Sequence, residues 1–261
     1  MIQPFPNMKT KRFLLAAVLL AAASMNADQA PADPLAAATA AFAKGDLATA
    51  ETLAAPLAQG DTARAEACGL LAEIRVRQKR MKEAVELLEQ AGKLDSQKPD
   101  YQSRLGAVIS MRMGEVNFMQ QGLLASRMLN AFKRSIELDP NHVPGYLGLA
   151  RYYENAPAIA GGSLEKAAHY AEAVRKRDVF AGTLELGFIA ERQDQPDSAL
   201  NLFDEALLLR PDQAWLYEQT GSVLVKLGRP ADARARFEKA LALEPKRESA
   251  RQAMAGLPPT P

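Results

Sequence analysis

The sequence has 261 residues, of which 48% are apolar and 24% are charged, and its formal net charge is +1. Such a chain can bury a substantial core, and its near-neutral charge gives no reason to expect nucleic acid, which favours a basic face. The single cysteine, Cys68, cannot form an internal disulfide, so stability must come from packing. We expect Cys68 to be a small buried residue of the core; the alternative is a reactive thiol.

Positions 1–27 have the pattern of a secretory signal peptide. The basic stretch 9–12 precedes an apolar run from Phe13 to Ala23, and small residues follow it. This run is shorter than the roughly 20 residues of a membrane-spanning helix, although an N-terminal anchor is the alternative. We expect cleavage between residues 23 and 27, which changes the formal charge from +1 to −2. The mature protein is then expected to be exported, periplasmic and soluble.

Paired helices are predicted from residue 35 onward, after a flexible tail at 28–34. A first, weak hairpin is expected from about Asp33 to Gly60, with its turn at Gly45. In the next pair, apolar and small residues are spaced three and four apart, which is typical of a helix with one buried face. Lys79 stands where the turn of that second hairpin should have glycine.

The middle of the chain departs from this pattern twice. Gly106 has the character of a close-contact site in a first helix, and Phe132 of its partner in a second helix, but ten surplus residues separate them. We expect this surplus at 114–122, as a lengthened helix or a loop. About five further residues are inserted within 155–163, where Pro157 and paired glycines disfavour a helix. Ser163 is predicted to cap the helix that follows.

The last two repeats, 180–213 and 214–247, resemble each other position by position. The first set of matching residues is Gly187, Ala199, Phe203, Ala206, Leu209 and Pro211, and the second is Gly221, Ala233, Phe237, Ala240, Leu243 and Pro245. A constant interval of about 34 residues indicates a stacked array of helical hairpins. Glycine and alanine are expected where the helices of a hairpin approach each other closely.

These residues resemble the tetratricopeptide repeat, with its small residue in the first helix and its Ala, aromatic, Ala and Pro in the second. The resemblance implies an all-α superhelix of about six hairpins over 35–256, with a capping helix at 246–255 and a disordered tail at 257–261. The stretch from Ala156 to Ala167 resembles a variant found in exported bacterial members, some of which are partners of tripartite solute transporters. The chain therefore resembles the exported bacterial type of this family.

No arrangement of residues in the sequence indicates catalysis or metal binding. His142 and His169 are the only histidines, and neither has cysteines or carboxylates at the spacing of metal ligands. We expect no catalytic residue, no bound metal and no cofactor, and we interpret the protein as a non-enzyme. The adjacent carboxylates Asp204 and Glu205 are interpreted as solvent-facing charges that support solubility.

The resemblance implies a binding groove on the concave side, lined by the first helix of each pair. The positions that correspond to groove residues are Arg77, Arg151, Phe188, Arg192, Trp215 and Lys226. Cations and aromatic rings there could hold an extended peptide or an acidic tail; ordinary solvated helix residues are the alternative. The Lys and Asn pairing with which some members clamp a C-terminal carboxylate is missing.

The function that these features favour is a non-catalytic scaffold in the bacterial cell envelope, which binds a partner protein or peptide in the groove. The alternative is an accessory protein of a transporter that handles a solute or lipid. That alternative rests on the inserted residues at 155–163 and on the apolar residues around 118–124.

Overall fold

The computed structural model describes residues 33–258, so the predicted signal peptide at 1–27 lies outside the described residues. Within that range the chain is helical and has no strand. The helices are α1 (Pro34–Ala43), α2 (Leu47–Ala54), α3 (Ala65–Arg77), α4 (Met81–Leu94), α5 (Pro99–Arg112), α6 (Phe118–Leu138), α7 (Val143–Asn155), α8 (Leu164–Arg175), α9 (Val179–Arg192), α10 (Pro196–Leu209), α11 (Ala214–Lys226), α12 (Pro230–Leu243) and α13 (Glu248–Ala255).

These helices form six hairpins, α1/α2 through α11/α12, and α13 packs against the last of them. The predicted all-α superhelix with a C-terminal helix is confirmed. Each helix contacts the next, and first helices of neighbouring hairpins also touch, as α5 does with α7 and α7 with α9. Among residues 33–258, the backbones of second helices in neighbouring hairpins do not approach each other as closely, and side-chain ion pairs link them instead. The first helices, α1, α3, α5, α7, α9 and α11, therefore form the inner side of the curve, here called the concave face.

Each regular hairpin is closed by a glycine that faces a phenylalanine ring. A Cβ atom placed on Gly187 would lie 2.4 Å from the ring of Phe203, and one on Gly221 would lie 2.7 Å from Phe237. The two rings are fully or almost fully buried. Since a real Cβ atom does not come so close, the glycines allow the two helices to approach, as the sequence predicted.

The turn after the first helix places one residue in the left-handed region of the backbone. Gly45 has φ 81° and Gly228 has φ 68°, and Lys79 and Asp194 adopt φ 61° and 57° at the corresponding places. Glycine enters this region without steric cost, whereas a side chain makes it unfavourable. The position of Lys79 in the turn is therefore confirmed.

Both departures in the middle of the chain are ordered structure. Helix α6 has 21 residues, against 14 in α10, and the additional two turns stand at its N-terminal end. The connection between α7 and α8, residues 156–163, contains a short 3-10 helix, Ala158–Ala160. The Ser163 side chain caps α8, since its Oγ accepts a hydrogen bond from the Lys166 N–H at 3.2 Å. The sequence thus located both surplus segments, and the first is a lengthened helix.

The core is a seam of small and apolar side chains that runs between the helix layers. Cys68 belongs to it, is fully buried, and has its thiol pKa raised by that burial, as the interpretation of a core residue requires. Asp204 and Glu205 are partly exposed, as their interpretation as solvent-facing charges expects, but they are not free surface charges. Asp204 lies 2.9 Å from Arg236 of α12, and Glu205 lies 2.7 Å from Arg175 of α8, so both carboxylates join neighbouring hairpins.

Candidate functional site

The six predicted groove residues all lie on first helices, and several already have partners within the chain. The Arg77 guanidinium of α3 stacks on the ring of Phe42 of α1, 4.2 Å from its centroid. The Lys226 ammonium of α11 lies 2.7 Å from a carboxylate oxygen of Glu191 on α9. Each contact joins first helices of neighbouring hairpins, so these cations stabilise the stacking.

Arg151 and Arg192 are brought together where α7 meets α9. The Arg151 Nε–H donates to Glu185 at 3.2 Å, and an Arg192 N–H donates to the backbone carbonyl of Glu154 at 3.3 Å. Burial raises the pKa of Glu185 and that of Glu154, while the nearby guanidinium groups act in the opposite direction. This is the one region in the described chain where two predicted groove residues meet around a buried and a half-buried carboxylate.

The two aromatic residues of the predicted set are held by contacts within the chain. The Phe188 ring packs edge-on against Phe203 at a centroid distance of 5.2 Å. Trp215 is half-buried, and its indole N–H donates to the side chain of Gln213 at 3.1 Å. Phe188 and Trp215 therefore both pack against the core that α9/α10 and α11/α12 share.

A cavity of about 870 Å³ lies between α5, α6, α7 and the connection 156–163, and is here called the central cavity. Phe132, Met128 and Tyr152, which are almost fully buried, lie deep in its wall. Met119 and Ile159, with 82% and 88% exposure, stand at its rim. Its volume falls within the range of about 300–1,000 Å³ that is typical of small-molecule sites.

The two surplus segments form opposite parts of this cavity. Met119, Gly122 and Ala125 come from the first turns of α6, while Pro157 and Ile159 come from the connection 156–163. Arg151, one of the predicted groove residues, also lines it. The cavity therefore opens beside first helices α5 and α7, and both surplus segments contribute to its wall.

Sequence reasoning missed most of the residues that line the cavity. Met111, Met113, Met119 and Met128 all contribute, and they are four of the nine methionines in the chain. Their clustering between positions 111 and 128 was the available indication, because flexible methionine side chains are common at apolar binding surfaces.

No group of three or more His, Cys, Asp or Glu side chains within 33–258 is arranged to hold a metal ion. His142 is buried at a hairpin junction, where its Nε2 is hydrogen-bonded to the Ser103 hydroxyl at 2.9 Å. In the same range, none of the helices combines the length and the apolar character needed to cross a bilayer.

Models of the tetratricopeptide repeat match residues 41–107 and residues 186–258, which together make up more than half of the chain. A comparison with curated protein sequences finds no match.

Several solved structures have a similar fold. PilW, a widely conserved type IV pilus biogenesis factor, is 16% identical with a TM-score of 0.68, over 85% of this chain and 96% of that one. A chain of the APC/C hetero-tetramer Cut9–Hcn1 is 16% identical with a TM-score of 0.66. That match covers 95% of this chain but 46% of the other, so this chain spans less than half of its length. A thermophilic repeat protein of Thermus thermophilus, TTC0263, is 21% identical with a TM-score of 0.58, over 73% and 97% of the two chains. Likeness at these identities concerns the fold alone.

Proposed function

Because this chain belongs to the tetratricopeptide-repeat family, we propose that it is a non-catalytic scaffold that binds a partner protein through its concave face in the bacterial cell envelope. Proteins of this family generally serve as interaction scaffolds. The observation that carries the proposal is the row of first helices, which contact one another from hairpin to hairpin, either by close backbone approach or through the ion pairs Arg104–Glu73 and Lys226–Glu191.

The size of this surface suits a protein partner. A stable interface buries about 800 Å² on each side, and several consecutive first helices can supply that area. The exposed cations Arg151, Arg192 and Lys226 line this face, but each is already hydrogen-bonded within the chain. A partner would therefore exchange or extend these contacts instead of neutralising isolated charges.

The location in the envelope rests on the signal-peptide pattern of residues 1–27. The fold resemblance to PilW, a pilus biogenesis factor, is compatible with that location.

Site-specific photo-crosslinking in whole cells tests the proposal. A photoreactive amino acid replaces Arg192 or Lys226 on the concave face, and matched control variants carry it at Glu86 or Lys239, which are exposed on second helices. We expect the same partner band from both concave positions and none from the two controls. Equal crosslinking from both sides, or crosslinking from the controls alone, would contradict binding through the concave face.

A second candidate function is the handling of a small solute or lipid, which the two surplus segments led us to consider. The specific observation in its favour is the central cavity, because both segments contribute to its wall.

A further inference from the structure

We propose that the central cavity binds a single hydrocarbon chain of a lipid-like amphiphile, with the chain inside the cavity and the head group at its mouth. This inference deepens the second candidate function and is independent of whether a protein binds elsewhere on the concave face.

The first support is the chemistry of the wall. Sixteen of the 22 lining residues are apolar or glycine, and methionine, phenylalanine and tyrosine side chains form the deep part. Burying apolar surface is the main favourable contribution that such a wall offers, and methionine adapts to irregular apolar shapes.

The second support is that every polar side chain in the wall already has a hydrogen-bond partner in the chain. Arg151 donates to Glu185, Arg104 to the Gly69 carbonyl, and Gln121 to the Met113 carbonyl. The remaining three are bonded in the same way: Ser103 to His142 and the Asp100 carbonyl, Ser110 to the Ala107 carbonyl, and Asn155 to the Arg151 carbonyl.

The two arginines also have counter-charges, since Arg104 contacts Glu73 and Arg151 contacts Glu185. A ligand that enters the cavity therefore meets neutral, apolar surroundings. Polar or charged groups lose their hydration there without gaining a dedicated partner, which is unfavourable.

This second observation also distinguishes a hydrocarbon chain from an extended peptide. A peptide in the cavity would bury its own backbone N–H and C=O groups, and the surrounding helices use theirs in internal hydrogen bonds. Leaving such a group buried and unsatisfied is unfavourable. A hydrocarbon chain has no such groups to satisfy.

The third support is that the wall is preformed. The Tyr152 hydroxyl donates to the Ala160 carbonyl, and the Ser163 N–H donates to the Tyr153 carbonyl at 2.8 Å, so the connection 156–163 is fixed to α7. On the opposite side, the Asn117 side chain caps α6 and Gln121 binds the preceding turn. A preformed site loses little entropy when a ligand enters.

The rim extends the apolar surface out of the cavity. Met119 and Ile159 are more than four-fifths exposed, and Met111 is 54% exposed, all at the same opening. The first methylene groups below a head group would cover these side chains. The arrangement thus suits an amphiphile whose polar end remains in water.

The test is displacement of cis-parinaric acid, a fluorescent fatty acid, from the purified protein. Competitors are saturated fatty acids and the corresponding fatty alcohols of increasing chain length, all below their micelle concentrations. We expect saturable binding at one site and an affinity that rises by up to roughly fourfold per methylene while the chain still fits the cavity. An acid and an alcohol of equal length should compete within about threefold of each other.

Variants connect binding to the cavity. Met119→Glu combined with Ile159→Glu puts charge at the rim, and we expect it to weaken binding at least about tenfold. Leu208→Glu is the matched control, because Leu208 is 85% exposed on α10, away from the cavity, and should leave binding unchanged. If the rim variant lowers the melting temperature, Ser110→Trp replaces it in the test. This substitution fills the cavity from an exposed position and should also weaken binding.

Three results would overturn the proposal: no saturable displacement, an affinity independent of chain length, or equal effects of the rim and Leu208 variants. Photo-crosslinking from Arg192 or Lys226, repeated in a protein that also carries the two rim substitutions, separates the two functions. If lipid binding fails while crosslinking persists, only the cavity proposal is lost; the reverse result removes only the protein scaffold.

Discussion

The regular hairpins α9/α10 and α11/α12 differ from the middle hairpin α5/α6 in how their central phenylalanine is surrounded. Phe203 is fully buried between Gly187 and the ring of Phe188. Phe132 faces two glycines, Gly106 and Gly148, and then borders the central cavity. The close contact between helices is thus the same in both regions, and only its surroundings change.

This difference shows that the residues that set the distance between helices are not the residues that shape the surface. The glycine and phenylalanine pairs fix the distance between helices, and α5/α6 retains this pair as Gly106 and Phe132 although α6 is seven residues longer than α10. The added residues lie at helix ends and in a connection, where extra length leaves the core contacts intact. A cavity can therefore be added to a repeat array without disturbing the hairpins beside it.

The largest effect expected from this comparison concerns the two phenylalanines. Phe203→Ala should lower the free energy of unfolding by about 3–5 kcal/mol, because it leaves a void within closed packing. Phe132→Ala should cost less, below about 3 kcal/mol, since its void merges with a cavity that is already open. Urea unfolding followed by circular dichroism measures both. Equal losses would mean that Phe132 is packed as completely as Phe203.

The same glycine substitution should have opposite signs in the two regions. Gly221→Ala places a Cβ 2.7 Å from the Phe237 ring and should destabilise by about 1–3 kcal/mol. Gly122→Ala lies in the added turns of α6, where a Cβ meets nothing within 4 Å, and should stabilise by about 0.5–1 kcal/mol through helix propensity. Thermal unfolding of the two variants beside the unchanged protein suffices. A loss of stability in both would contradict the view that the added turns are free of close packing.

The fold could be predicted from the sequence because its determinants recur at a fixed interval. Gly187 and Gly221 with their phenylalanines specify hairpin geometry locally, and both were identified from the repeat alone. The cavity could not be predicted in this way. Its wall joins α6 to the connection 156–163, and which residues meet there depends on how α6 packs against α7, a tertiary relation that no local pattern encodes.

The partners of the predicted groove cations were also missed, although the interval itself contained the clue. Arg77 stacks on Phe42, 35 positions earlier, and Arg151 binds Glu185, 34 positions later. Residues about one repeat apart on first helices lie side by side in a stacked array. A cation on the concave face should therefore be compared with the residue one repeat away before it is assigned to a ligand.

A smaller effect concerns the turn with one left-handed residue that follows the first helix in the regular hairpins. In the middle hairpins, longer connections with a short 3-10 helix stand in its place. Lys79→Gly should stabilise by about 1 kcal/mol, because Lys79 has φ 61° and glycine removes the strain of its side chain. Asp194→Gly should gain less, since aspartate tolerates this conformation better. The reciprocal control, Gly228→Lys, should lower the free energy of unfolding by about as much as Lys79→Gly raises it. Chemical denaturation of the three variants measures the differences, and a destabilised Lys79→Gly protein would show that the lysine side chain has a role of its own.

The smallest effect is a pH dependence at the junction of the two regions, where Glu185 of α9 contacts Arg151 of α7. Burial raises the pKa of Glu185 above its ordinary value of 4.5, Glu154 raises it further, and Arg151 opposes both. Between 4.5 and the raised value, the folded protein keeps a proton that the unfolded chain has released, so this contribution to stability falls as the pH rises.

Glu185→Gln removes this titration because glutamine stays neutral. Relative to the unchanged protein, the variant should therefore gain stability as the pH rises from about 4 to about 7, as measured by urea unfolding at each pH. Arg151→Met should behave in the opposite way. It removes the charge that favours the ionised carboxylate, so its loss of stability should grow toward neutral pH, when Glu185 must be ionised without a partner. If both variants differ from the unchanged protein by amounts that do not depend on pH, Glu185 does not titrate differently in the folded and unfolded chains. The junction would then be held by packing alone, like the regular hairpins beside it.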